Sequence, residues 1–155
     1  MKKLMLKILA AVFILQITFI AKASTVYAEE MTCPPPMPVN IDIKPGESPN
    51  KINLSSKGTL AVAVLSTADF AASQFTPEMA HLSNADGPMG CVGAAAIRWN
   101  LEDVNKDTQL DLVFFFRTQD LNLTSSSTAA TLMAHGSYHS TTTHIVGTDF
   151  VQVKP

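Results

Sequence analysis

Residues Asp103 to Asp111 read Asp-Val-Asn-Lys-Asp-Thr-Gln-Leu-Asp and run directly into Leu112-Val113-Phe114-Phe115-Phe116. Side-chain oxygens at relative positions 1, 3, 5 and 9 are the spacing that a hard divalent cation, above all Ca²⁺, requires of a short loop. Asp103, Asn105, Asp107 and Asp111 are therefore candidate ligands, with the carbonyl of Gln109 at position 7. Waters would complete six or seven oxygens at about 2.3–2.6 Å. Mg²⁺ fits less well, because it holds to octahedral geometry and keeps several waters. Position 12 is Phe114 where an EF-hand needs a bidentate Glu, and the flanks read as strands. Positions 4 and 6, where such loops carry Gly to turn with positive φ, are Lys106 and Thr108. A β-branched residue there costs on the order of 1–2 kcal/mol. The bland alternative is an acidic, solvated turn.

Other chemistry-bearing residues are scattered. His135, His139 and His144 suggest zinc, but on a strand 135 and 139 share a face that 144 does not, so a solvated loop is the expectation. Asp69, Asp86 and Asp149 would need a tertiary coincidence to act as a glycosidase pair. No Gly-x-Ser-x-Gly elbow is present. Trp99, Tyr138 and Phe115 are of the types that line a sugar-binding face, yet core packing is the expected use of Trp99 and Phe115.

The elements that must position the loop follow from hydrophobic alternation. Val39, Ile41 and Ile43 alternate with Asn40, Asp42 and Lys44 before Pro45-Gly46 breaks the strand. From Thr59 to Ser66 both faces are apolar, which predicts a central strand. Asp69 to Pro77 reads as a loop or short helical turn, Glu78 to Ser83 as a strand, and Asn84 to Gly93 as a loop. Ala94 to Leu101 and Leu110 to Thr118 flank the acidic segment as strands. Two last strands, Ala129 to His135 and Ile145 to Val153, enclose a hairpin loop. About seven to nine short strands with turn signals between them indicate an all-β, immunoglobulin-like sandwich over residues 39–155.

The N-terminus reads as a signal peptide over residues 1–28. Lys2, Lys3 and Lys7 precede an apolar run from Ile8 to Ile20, and Val26-Tyr27-Ala28 suits cleavage before Glu29. The run is shorter than the roughly 20 residues of a spanning helix. The expected location is secreted, periplasmic or cell-surface, without membrane attachment after cleavage. Residues 1–28 hold four of the 11 basic residues and none of the 13 acidic ones, so cleavage takes the net charge from −2 to −6. That balance argues against a nucleic-acid partner. Residues 29–38 form a Pro-rich extended lead-in. Cys33 and Cys91, the only cysteines, read as one disulfide in an oxidising compartment, with two free thiols as the alternative.

The run Val39-Asn40-Ile41-Asp42-Ile43-Lys44-Pro45-Gly46, followed by Ser48-Pro49-Asn50-Lys51-Ile52-Asn53, resembles the opening IDIKPGS-x-PN-x-IN of an uncharacterised secreted β-domain family of bacteria and archaea. The resemblance continues at Ser56-Lys57-Gly58, Ala61 to Leu65, Thr67 to Phe70, Glu102 to Asn105, Asp111 to Val113 and Gly147 to Val151. The family loop EDVNGDG-xx-DL implies a calcium-ligand role for Asp103, Asn105, Asp107 and Asp111. This chain departs by Lys106 and Thr108 in place of glycine, and by Phe115 where His is frequent. The resemblance implies a non-catalytic extracellular module, whose partner would be a protein or glycan, and carries no established activity. A small secreted hydrolase and a carbohydrate-binding domain are the alternatives.

Overall fold

A computed structural model describes residues 35–85 and 93–154. The signal-peptide segment, the start of the lead-in, Asp86 and the proposed Cys33–Cys91 bridge lie outside the described residues. Those residues form ten strands: β1 (Met37–Pro38), β2 (Ile41–Ile43), β3 (Lys51–Asn53), β4 (Thr59–Val64), β5 (Phe75–Asn84), β6 (Ala94–Glu102), β7 (Asp111–Arg117), β8 (Ala129–Tyr138), β9 (Thr141–Phe150) and β10 (Gln152–Lys154). Eight belong to one sheet ordered β1-β9-β8-β5-β6-β7-β4-β2, and β10 pairs with β3 separately.

The chain is all-β, and the expected sandwich takes the form of one curled sheet whose two corners are each turned by a single run of chain. At the first corner, β6 pairs with β5 only at Ala94 and Ala95, then with β7 from Ala96 to Glu102. A bulge between Ala96 and Arg98 accompanies the change of partner, as bulges do where a strand must bend. At the second corner, the Val39 N–H donates to the Val146 carbonyl on β9, while the next residue, Asn40, accepts from the Leu65 N–H beside β4. Gly147 sits against this crossing: a Cβ there would lie 2.8 Å from the Val39 oxygen and 2.5 Å from Ile41 Cγ2. A larger residue would push β9 off the corner.

Alternation explains why these strands form and which face they bury. Leu60, Val62 and Val64 on β4 and Leu112, Phe114 and Phe116 on β7 fill one side of the core. Leu82, Ala130, Leu132, Ala134 and Ile145 fill the other. As expected for a central strand, β4 is paired on both edges, with β2 and β7. Burying each large side chain contributes about 1.5–3 kcal/mol. The loop segments supply Phe70, Leu121 and Leu123 as further plugs, although their sequences are mostly polar.

Several boundaries differ from the sequence reading, and the strand expected over Ile145 to Val153 is broken at Val151 into β9 and β10. The strand expected from Glu78 starts at Phe75, directly after a single 3-10 turn at Ala72–Gln74. The expected hairpin loop contracts to His139 and Ser140, with φ of 48° and 64°, while β8 and β9 stay paired up to Tyr138 and Thr141. Positive φ at both central residues is the two-residue turn whose twist matches a hairpin.

Asp149 ties the second corner: its Oδ2 accepts from the Ile43 N–H at 2.9 Å and the Asn50 side-chain amide at 2.8 Å. Nearby Asp42 is held above the ordinary carboxylate value of 3.8 by burial and then by the Asp149 carboxylate. The folded state thus binds the Asp42 proton more tightly than the unfolded chain, so this group costs stability as pH rises from about 3.8 through its folded value. Asp42→Asn removes that cost. The variant should melt higher than the wild type at pH 7, with the difference closing below pH 4, and parallel profiles for the two proteins would exclude the effect.

Candidate metal loop

The acidic segment is the connection of the β6–β7 hairpin: Glu102 and Asp111 are cross-strand partners, and residues 103–110 lie between them. Aromatic and aliphatic alternation on β7 fixes the exit strand in the core, so the loop projects from a rigid base.

Its hydrogen bonds are made mainly within the loop. Asp103 accepts from the Asp107 N–H at 3.1 Å through Oδ1 and from the Thr108 N–H at 3.0 Å through Oδ2. Asn105 Oδ1 accepts from the same Asp107 N–H at 3.0 Å, so two side-chain oxygens converge on one nitrogen. Asp107 Oδ1 accepts from the Gln109 N–H at 2.8 Å, and its Oδ2 accepts from the Asn105 amide at 2.9 Å. To make these turns, Lys106 and Thr108 adopt φ of 64° and 73°. These are the two positions at which the spacing called for glycine.

Asp111 is placed differently from the other three. It is wholly buried, its Oδ1 accepting from the Ser66 N–H at 2.8 Å and its Oδ2 from the Val104 N–H at 3.1 Å. Ser66 in turn donates its hydroxyl to the Leu110 carbonyl at 2.8 Å and accepts from the Ala72 N–H at 2.9 Å. Asp111 thus closes the neck of the loop and fastens it to the segment after β4. Among the described residues, no three His, Cys, Asp or Glu side chains are grouped as they would be about a metal ion. The donors left in the loop are the half-buried Asp103 and the exposed Asn105 and Asp107, two carboxylates and an amide. That set is one side chain fewer than the four-side-chain cage that the spacing alone suggests.

The other candidates separate. Asp69 is exposed, and Asp149 is occupied at the corner described above. His139 sits in the hairpin turn with its ring 4.2 Å from that of Tyr138, whereas His135 and His144 are direct cross-strand partners. The sequence reading had 135 and 139 sharing a face; the two-residue turn overturns it. Trp99 is corrected too: it is 47 % exposed, because β6 has already left β5 and, among the described residues, no strand covers that edge. It lines a cleft of about 240 Å³ with Met79, Ile97 and Arg98, floored by Phe114. Phe115 lies on the other face, half-buried beneath the Arg98 guanidinium, which is 3.5 Å from the ring centroid.

Among the described residues no helix is long and apolar enough to cross a membrane. No protein-family model matches the chain, and none of the curated proteins matches it significantly.

The buried position of Asp111 yields a direct test. Asp111→Ala leaves the N–H groups of Ser66 and Val104 without their acceptors, a loss of about 2–4 kcal/mol given the desolvation cost of unpaired donors. Denaturant unfolding should show this loss without any added cation, while Asp103→Ala, at the half-buried rim, should cost less, about 1 kcal/mol. Equal, small effects of the two would refute the assignment of Asp111 to the neck.

Proposed function

We propose that the protein is an exported, non-catalytic β-sandwich module whose β6–β7 loop takes up Ca²⁺ as a structural ion. The left-handed backbone at Lys106 and Thr108 carries this reading. Non-glycine residues hold such conformations only where the surroundings over-determine them, and such strain gathers at ligand sites. Here it brings oxygens of Asp103 and Asn105 together. Asp103, Asn105 and Asp107 would hold the ion, with the Gln109 carbonyl and waters completing the oxygens, and Asp111 would support the loop from beneath. The ion would supply charge neutralisation and rigidity, not Lewis-acid chemistry. The motif resemblance and the acidic balance of residues 29–155 support the same reading.

Extracellular sites commonly work at about 10⁻⁴–10⁻³ M. With a dissociation constant near 10⁻⁴ M, about 10 mM Ca²⁺ adds roughly 2.7 kcal/mol. Calorimetry should therefore show the melting temperature rising by several degrees in 10 mM Ca²⁺ and by less in Mg²⁺. The double change Asp103→Asn with Asp107→Asn should abolish the rise, and Thr108→Gly should raise the melting temperature with and without Ca²⁺ by relieving φ. A melting temperature indifferent to Ca²⁺ would sink the proposal.

The exposure of Trp99 favours a second reading, a carbohydrate-binding surface at the β5–β6 cleft. Aromatic faces stack on sugar rings, and Trp99 lines this cleft. Trp99 is the only tryptophan, so its emission reports directly on occupancy. A blue shift on adding soluble oligosaccharides, absent in Trp99→Ala, is the expected sign, and silence across a broad glycan panel removes this reading.

A further inference from the structure

The outward face of the β5–β8–β9 layer carries a row of nitrogen and sulfur side chains, of which only Met79, at the β5–β6 cleft, enters a reading above. Met79, His135 and His144 are consecutive cross-strand partners, so they stand side by side on one face. The next row along the strands holds His81 opposite Met133. The rings of His135 and His144 are 4.0 Å apart, centroid to centroid. Nδ1 of His81 is buried without a hydrogen-bond partner, a state that calls for an explanation such as a missing water or ion. None of these residues is part of the acidic loop or of the second corner.

We propose that this face binds a copper(I) ion between the imidazoles of His135 and His144, with the Met79 thioether as the third ligand. Two imidazoles sharing one ion at metal–nitrogen distances of about 2.0–2.1 Å have their centroids roughly 5 Å apart. The pair needs only to open by about an ångström, within reach of χ rotation on a fixed sheet. Among the described residues no three His, Cys, Asp or Glu side chains share one coordination sphere. Imidazoles and carboxylates therefore do not make this site by themselves, and zinc lacks its usual set. The thioether in the same row changes the preference: soft sulfur selects copper(I), while imidazole accepts it equally.

The test uses the full chain, titrated anaerobically with copper(I) against a chromophoric copper(I) chelator and, in parallel, with Zn²⁺. His135→Gln and His144→Gln should each weaken copper(I) binding at least tenfold. Met79→Leu should weaken copper(I) by a similar factor and leave Zn²⁺ within about twofold, and copper–sulfur scattering at the X-ray absorption edge should diminish in that variant. His139→Gln, in the turn, should change nothing. The far-UV spectrum and melting temperature of each variant check the fold, and if one histidine variant fails to fold, the other and Met79→Leu still decide. Wild-type affinity in a folded His135→Gln or His144→Gln variant, as when Cys33 and Cys91 hold the copper, overturns the proposal. Equal losses of copper(I) and Zn²⁺ in Met79→Leu overturn the role of the thioether.

Discussion

A buried carboxylate fixes where everything around the acidic loop stands. Asp111 is the first residue of β7, has no exposed surface, and accepts from the N–H groups of Ser66 and Val104. One side chain thus joins the start of the loop, the end of the loop and the segment that follows β4. A buried polar group is tolerated when its partners are present and is costly when they are not. The geometry of the hairpin base therefore has little freedom, and a strained loop can be carried on it. The same anchor explains how Lys106 and Thr108 hold positive φ: with both ends of the loop fixed, the backbone must turn sharply within a few residues.

The curled sheet extends this constraint to the rest of the molecule. Because β6 serves both layers, it cannot stay paired on both edges along its length. Past Ala95 its free edge opens the cleft at Trp99, and Ile97 occupies the bulge that lets the strand change partners. At the opposite corner the lead-in crosses from β9 to β4, held by Asp149 and given room by Gly147. Closing both corners with continuous chain leaves few unpaired edges, the exposed liability of β proteins. The unpaired stretch of β6 is the exception, and it coincides with the exposed apolar side chains Ile97, Trp99 and Leu101.

Much of this was legible in the sequence, for a local reason. The period-2 pattern of β4 and β7 states which face is buried, and the doubly apolar character of β4 states that it is central; both hold. The positive φ at Lys106 and Thr108 was likewise readable from loop position alone. What was hidden is long-range. Trp99 looks like core because nothing local reveals that β6 departs from β5. Asp111 looks like a ligand because an oxygen at position 9 reads the same whether it faces an ion or Ser66. His135 and His144 looked unrelated because Gly-Ser-Tyr-His-Ser-Thr has loop composition, whereas the strand continues through it and the turn is two residues. A shift in the assumed hairpin centre changes which side chains are partners, as register always does.

The hydrogen bonding of the loop also bears on what a cation would do there. Each carboxylate oxygen of Asp103 and Asp107 already has a donor from the loop itself. An ionised carboxylate has about four acceptor positions, so these bonds occupy only part of its capacity. The loop is shaped before an ion arrives, and binding would add to that shape instead of creating it. Two rim carboxylates on a preformed turn, with a third locked in the base, favour modest affinity and little conformational change. An arrangement of that kind suits a permanent brace in a calcium-rich medium and is poorly suited to sensing, which needs a large difference between the bound and free states.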